Sequence, residues 1–155
     1  MGTPYDVTEQ VGHLLRRVYQ RHLAIFQENV QDPSITSVQF VTLCVLRDRG
    51  PSSQTELVRA TAIDQGTIRG IIDRLTARDL ISVSRDDQDG RKVIMALTPA
   101  AHALLGDLIP SAARISDLTM EGLNPAERVA FLYLLRRLLE TGTGARDDEA
   151  GQEGN

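Results

Sequence analysis

The sequence predicts a mainly α fold with a small β-wing, a winged helix-turn-helix set between longer helices. Three observations predict it. Two helix-start signals, Ser53-x-x-Glu56 and Asp64, follow one another closely enough to open a pair of short helices. The apolar period then switches from helical to two in the runs Leu80–Arg85 and Val93–Leu97, with Asp89-Gly90 between them. Apolar stripes at helical spacing lie on both sides and are too long to serve that small core alone.

Asp6–Asn29 reads as one long helix, with Val11, Leu15, Val18, His22, Ile25, Phe26 and Asn29 on one stripe. That stripe is wide and suggests contact with more than one neighbour. Asp32-Pro33-Ser34 breaks the helix. Thr36-x-x-Gln39 is a capping box for a second helix, running to about Arg49 and ended by Gly50-Pro51. The third runs from Ser53 to about Thr61. In the fourth, from Asp64 to near Arg78, Ile68, Ile71, Ile72 and Leu75 make the inward stripe. The two β-type runs form a hairpin. Thr98-Pro99 starts a fifth helix with Pro110 as a candidate kink, and Asn124-Pro125-Ala126-Glu127 starts a sixth, closed by Gly142.

A chain of 155 residues is one domain, or one small domain with helical extensions, and 41% hydrophobic with 25% charged residues excludes a disordered chain. The longest charge-free stretches are 14 residues, too short to span a bilayer, so no membrane partner is expected. No secretory signal is visible at Met1-Gly2-Thr3-Pro4, and the expected location is cytoplasmic. The single cysteine, Cys44, excludes an internal disulfide framework and a multi-cysteine zinc site. His13 and His22 are nine apart and His102 is remote, so no metal spacing is present. No phosphate loop, paired carboxylates or nucleophile set stands out. The expectation is no enzyme, no catalytic residue, no metal and no cofactor.

Net charge is −4, which at first argues against nucleic acid. Its distribution reverses that. Residues 1–54 carry five basic and five acidic side chains and 55–98 seven of each, whereas 99–155 carry five and nine. Much of the excess acid is Asp147, Asp148, Glu149 and Glu153, in a Gly-rich tail over 142–155 that reads as disordered. The body is neutral, and a local basic face remains available.

With the isoleucine stripe of the fourth helix turned inward, Gln65, Gly66, Thr67, Arg69, Gly70, Asp73 and Arg74 face out or sideways. Gln and Arg suit adenine and guanine edges, and Thr can donate, accept or touch a thymine methyl. Gly66 and Gly70 each cost about 1 kcal/mol against Ala within a helix; close approach of DNA is one reason to tolerate them, and the alternatives are tight helix packing or a mere surface face of a helical core. Arg85, Arg91 and Lys92 flank the wing tip, where an Arg could enter a narrow minor groove, although Asp86, Asp87 and Asp89 share that loop. Alone it reads as a solvated turn; beside the helix pair it reads as a DNA contact. His22, on the apolar stripe, is either a hydrogen-bonded core or interface residue or a ligand-pocket donor, with Tyr19, Arg21 or Arg16 adding polarity. Cys44, inside Val41–Leu46, reads as a small hydrophobe rather than a redox sensor.

The run from Leu75 through Leu80-Ile81 to Arg85, then Asp89-Gly90-Arg91, then Leu97-Thr98, together with Ser53-Gln54-Thr55-Glu56-Leu57, resembles the MarR family of bacterial winged-helix regulators. The similarity spans roughly residues 10–140. Two departures stand out: Asp79 where the family often has Gly, and Ala101 where its Leu-Thr-x-x-Gly motif has Gly. The resemblance implies a homodimer interlocked through the first, fifth and sixth helices, so that 5–35 and 99–141 form a dimerisation region and 36–98 the winged helix-turn-helix. It implies double-stranded DNA as partner, through Ser53, Gln54 and Thr55 of the third helix and Gln65, Gly66, Thr67, Arg69, Gly70 and Arg74 of the fourth. Arg91 would enter the minor groove with Asp89 positioning it, and Arg85 or Lys92 would meet phosphate. A small aromatic acid would bind near Arg16, Tyr19, Arg21, His22, Phe26 and Phe40 and release the DNA. Residues 21–30 and 61–75 further resemble repressors of aromatic catabolism, those of hydroxynicotinate degradation especially. The alternatives are a winged-helix protein-interaction module that binds no DNA, and an effector that is an aromatic acyl-CoA thioester.

Overall fold

The computed structural model describes residues 4–143, and the acidic residues of the expected tail lie outside that range. The chain divides into two units, one up to Thr119 and one from Met120 onward. The first holds a 3-10 turn (Val7–Glu9), then α1 (Val11–Asn29), α2 (Ser37–Arg49), β1 (Ser52–Ser53), α3 (Gln54–Thr61), α4 (Gln65–Ala77), β2 (Ile81–Arg85), β3 (Val93–Leu97) and α5 (Pro99–Thr119). The second holds α6 (Pro125–Thr143).

Side-chain caps set most of these boundaries. Gln39 N–H donates to Thr36 Oγ1 at 3.3 Å while Thr36 N–H donates to Gln39 Oε1 at 3.1 Å, the reciprocal box expected for α2. Ser53 and Glu56 do the same for α3, and Asn124 and Glu127 for α6. Each box satisfies backbone donors that a helix start otherwise leaves open. Gly50, at φ +79°, ends α2.

The core lies where α2, α3, α4, the sheet and α5 meet. Ile35, Leu43, Leu57, Ile68, Leu75, Ile81, Leu105, Leu108 and Ile115 are fully buried there. All four residues of the predicted α4 stripe are buried. On α1 only Phe26 is buried, while Val11, Leu15 and Val18 remain 67%, 43% and 40% exposed. The wide stripe therefore has one packed end, against α5, and one open end.

Several expectations are corrected. The first helix does not run from Asp6. Asp6 caps the 3-10 turn by accepting from Thr8 N–H and Oγ1–H, and Gln10 is extended before α1 begins. The sheet has three strands rather than two, in the order β1-β3-β2, with Ser52 opposite Met95 and Ser53 opposite Ile94. The hairpin is present with Ile81 paired to Leu97 and Arg85 to Val93, but Asp89-Gly90 is not its tight turn. Gly90 has no positive φ, and Asp86 N–H to Lys92 O with Lys92 N–H to Asp89 O close a longer loop. α5 continues through Pro110, whose missing N–H falls on an exposed side of the helix. α6 runs past Gly142.

The two departures from the family pattern are resolved. Asp79 sits at φ +56°, with its N–H on Thr76 O and the Leu80 N–H on Leu75 O, a Schellman end for α4. Ala101 is fully buried, and its N–H reaches Thr98 Oγ1 in a normal helix start. A left-handed position favours glycine, so Asp79→Gly is expected to stabilise the fold by about 1 kcal/mol. A thermal melt would show this as a higher midpoint, and a lower one would contradict the account.

Candidate nucleic-acid interface and ligand site

α3 and α4 are joined by Ala62 in the left-handed conformation at φ +55°, which turns the chain sharply between them. Asp64 then caps α4 by accepting from Thr67 N–H at 2.9 Å and from Thr67 Oγ1–H at 2.6 Å. These bonds hold the Asp64 carboxyl below the usual carboxylate range. They also commit the Thr67 proton, so in the free protein that hydroxyl offers lone pairs and a methyl group. Gln65, Gly66, Thr67, Arg69, Asp73 and Arg74 are exposed, and Gly70 is half-buried. Gln54 Nε2–H reaches Gln65 O at 3.4 Å and ties the start of α3 to that of α4.

The two glycines have no packing reason among the described residues. A Cβ on Gly70 would meet nothing within 4 Å, and one on Gly66 only the Asp64 carboxylate at 3.5 Å. This removes tight packing among the described residues and leaves a plain surface face or close approach by an outside surface. Beside this face a groove of about 300 Å³ separates α4 from the sheet, walled by Arg69, Asp73, Val83 and Val93 over Ile72 and Met95.

Ser53 does not belong to the open surface. It is buried, and its hydroxyl accepts the Glu56 N–H of the cap. Thr55 is exposed on α3. In the wing, Arg85 Nη1–H donates to Gly90 O at 2.8 Å and braces the loop. Asp89 accepts from the Arg91 backbone N–H at 3.1 Å, so it shapes the turn rather than holding the guanidinium. The Arg91 side chain is exposed and makes no hydrogen bond or ion pair among the described residues. Lys92 Nζ lies 3.7 Å from Glu56 Oε1 and is partly neutralised. The Ser53 N–H, and then Lys92, keep Glu56 below its ordinary value. Sequence reading missed this pair, because 36 positions separate residues that only the β1-β3 pairing brings together.

The expected ligand residues form two clusters. His22 is half-buried, with Tyr19 stacked beside it at 6.3 Å between ring centroids and 23° between planes. Phe26 is buried and packs at 5.9 Å against the half-buried Phe40. Arg21 Nη2–H leans on Leu118 O at 3.4 Å, whereas Arg16 is exposed and has no partner among the described residues. His22 Nδ1 lies 2.9 Å from Thr119 Oγ1 at the end of α5. Thr119 escaped the sequence reading because a Thr at a helix end carries no signal by itself. Burial pushes the His22 pKa down, which favours the neutral ring, and burial likewise pushes the Cys44 thiol up, away from reactive thiolate.

Among the described residues no group of His, Cys, Asp and Glu could hold a metal, and no helix is long and apolar enough to cross a membrane.

Residues 35–93 match the profile of the MarR family. The HTH-type transcriptional repressor NicR of Pseudomonas putida is 62% identical over 144 residues, covering 93% of this chain and 91% of NicR. Among solved structures, one concerns the regulation of DNA binding of Bordetella bronchiseptica BpsR by 6-hydroxynicotinic acid. It superposes with a TM-score of 0.83 at 56% identity, over 88% of this chain and 97% of BpsR. The PcaV regulator of Streptomyces coelicolor, solved with its natural ligand, gives 0.81 at 28% identity over 91% and 99% of the two chains.

Gly70→Ala should raise stability by about 1 kcal/mol through helix propensity and weaken binding to duplex DNA by roughly tenfold. Thermal melts and gel shifts read the two effects, and unchanged DNA binding would refute close approach at Gly70. Arg91→Ala should lessen the slope of log affinity against log salt by about 1, the signature of one cation lost from the duplex.

Proposed function

This chain belongs to the MarR family, and from that premise we propose that it is a cytoplasmic repressor, not a catalyst, released from its operator by a hydroxylated aromatic carboxylate of the 6-hydroxynicotinate type. The observation that carries the DNA reading is the outward face of α4, where Gln65, Thr67 and Arg69 surround glycines that no packing among the described residues requires. A second copy of the chain completes the reader. α6 leaves Val129, Leu134, Leu138 and Leu139 more than half exposed, as are Val7 and Val11 near the start of the chain, and a homodimer covers such surface. Two α4 helices about 34 Å apart then read successive major grooves of a pseudo-palindromic site. Gln65, Thr67, Arg69 and Arg74 meet the major groove, Arg91 the minor groove, and Gln54, Thr55 and Arg85 the backbone.

The effector assignment is supported by the likeness to BpsR, whose DNA binding is regulated by 6-hydroxynicotinic acid, and by the half-buried His22 stacked on Tyr19. Arg16 or Arg21 meets the carboxylate. The acid dissociates the complex by favouring a dimer geometry whose α4 helices no longer match the groove spacing. A coupling of about 1–3 kcal/mol weakens binding roughly 5- to 150-fold.

The test is a gel shift of the full chain on its own upstream DNA, titrated with 6-hydroxynicotinate. A discrete, salt-sensitive complex should dissolve as the acid is added. His22→Ala is expected to stay on the operator at acid concentrations that clear the wild type. Equal release of both would remove His22 from the ligand site, and no complex at low salt would remove the DNA reading.

A further inference from the structure

The end of α5 dictates which hydrogen bond His22 can offer. Thr119 Oγ1 lies 2.8 Å from Ile115 O and 2.9 Å from His22 Nδ1. A carbonyl can only accept, so the two contacts are hydrogen bonds together only when the single hydroxyl proton of Thr119 goes to Ile115. The Thr119 oxygen therefore turns a lone pair toward the imidazole, and the proton in that contact must come from Nδ1. In a neutral ring a proton on Nδ1 leaves Nε2 bare. Nε2 makes no hydrogen bond among the described residues, and none of their buried side-chain polar atoms lacks a partner, so it stays within reach of an incoming molecule. Burial of the ring, which opposes a second proton, is consistent with this state.

We propose that Thr119 is a positioning residue that locks His22 as its Nδ1–H tautomer, so that the site selects aromatic acids carrying a hydrogen-bond donor on the ring. The inference rests on the reading of His22 as an effector contact. A ring hydroxyl or a lactam N–H can donate to Nε2. A methoxy oxygen, a bare pyridine nitrogen or a carboxylate presents one lone pair to another. The carboxylate is thus directed to the arginines, and the donor edge of the ring faces His22. An unsubstituted acid of the same shape leaves a polar atom on each side unpaired, the situation in which hydrogen-bonding sites discriminate best.

Three probes differ at this point alone: 6-hydroxynicotinate, 6-methoxynicotinate and nicotinate. On the full-length protein bound to operator DNA, 6-hydroxynicotinate should act at about tenfold lower concentration than either other acid, the worth of one hydrogen bond. Thr119→Val keeps the branched shape and removes the acceptor, and should shrink that preference to less than about threefold. Thr119→Ser should restore it. A purely structural role would move all three acids together. Independently, ¹⁵N NMR of the free protein should show a protonated Nδ1 and an unprotonated Nε2 for His22, assigned by the signal lost in His22→Ala. This readout needs no variant at position 119 to fold. An unprotonated Nδ1 in the wild type, or an undiminished preference in Thr119→Val, overturns the proposal. Release by all three acids alike overturns it while sparing the repressor reading. Release by none overturns the functional reading and the effector assignment together.

Discussion

The hydroxyl of Thr98 joins the two halves of the first unit. It donates to Asp79 O at 2.6 Å and accepts the Ala101 N–H at 3.2 Å, while the Thr98 N–H reaches Leu80 O at 3.2 Å. One buried residue therefore ends β3, starts α5 and grips the left-handed turn that closes α4. An unmet buried polar group costs about 1–3 kcal/mol, so each of these three elements has a strong reason to keep its angle to the others. The orientation of α4 follows from this joint. So does the course of α5, which carries Thr119 to His22.

Electrostatics and sterics divide the work of meeting DNA differently from what the net charge suggests. Residues 55–98 carry as many acids as bases, and several of the acids are occupied. Asp64 caps α4, Asp89 shapes the wing turn, and Glu56 both caps α3 and holds Lys92. Their charge is spent on local geometry, and the exposed guanidinium of Arg91 is left without an internal partner. On the outer face of α4 the exposed Arg69 and Arg74 likewise have no ion pair among the described residues, and in the proposed reading the bare backbone at Gly66 and Gly70 lets that face come close to the duplex.

Most of the fold was legible because its boundaries are made by side chains that name themselves: Thr36 with Gln39, Ser53 with Glu56, Asp64, Thr98 and Asn124. The α4 stripe was legible for a similar reason, since four branched apolar residues at helical spacing have only one face to bury. What stayed hidden depends on distant partners or very short segments. β1 is two residues long and exists only because β3 lies beside it. The break at Gln10 hangs on one Asp6 carboxylate. Family resemblance supplied the candidate ligand positions, but the proposed tautomer of His22 depends on a hydroxyl 97 positions away. Ser53 shows the converse limit: a motif position in the right helix whose side chain is committed to a cap.

α5 is a single unbroken helix of 21 residues, about 30 Å long. Thr98 lies at one end, beside the turn that closes α4, and Thr119 at the other, beside His22. Substitutions separated by such a distance are close to additive. In the proposed reading, the vocabulary of acids and the vocabulary of operators can therefore drift separately. A descendant could learn a new chemical cue without forgetting its genes.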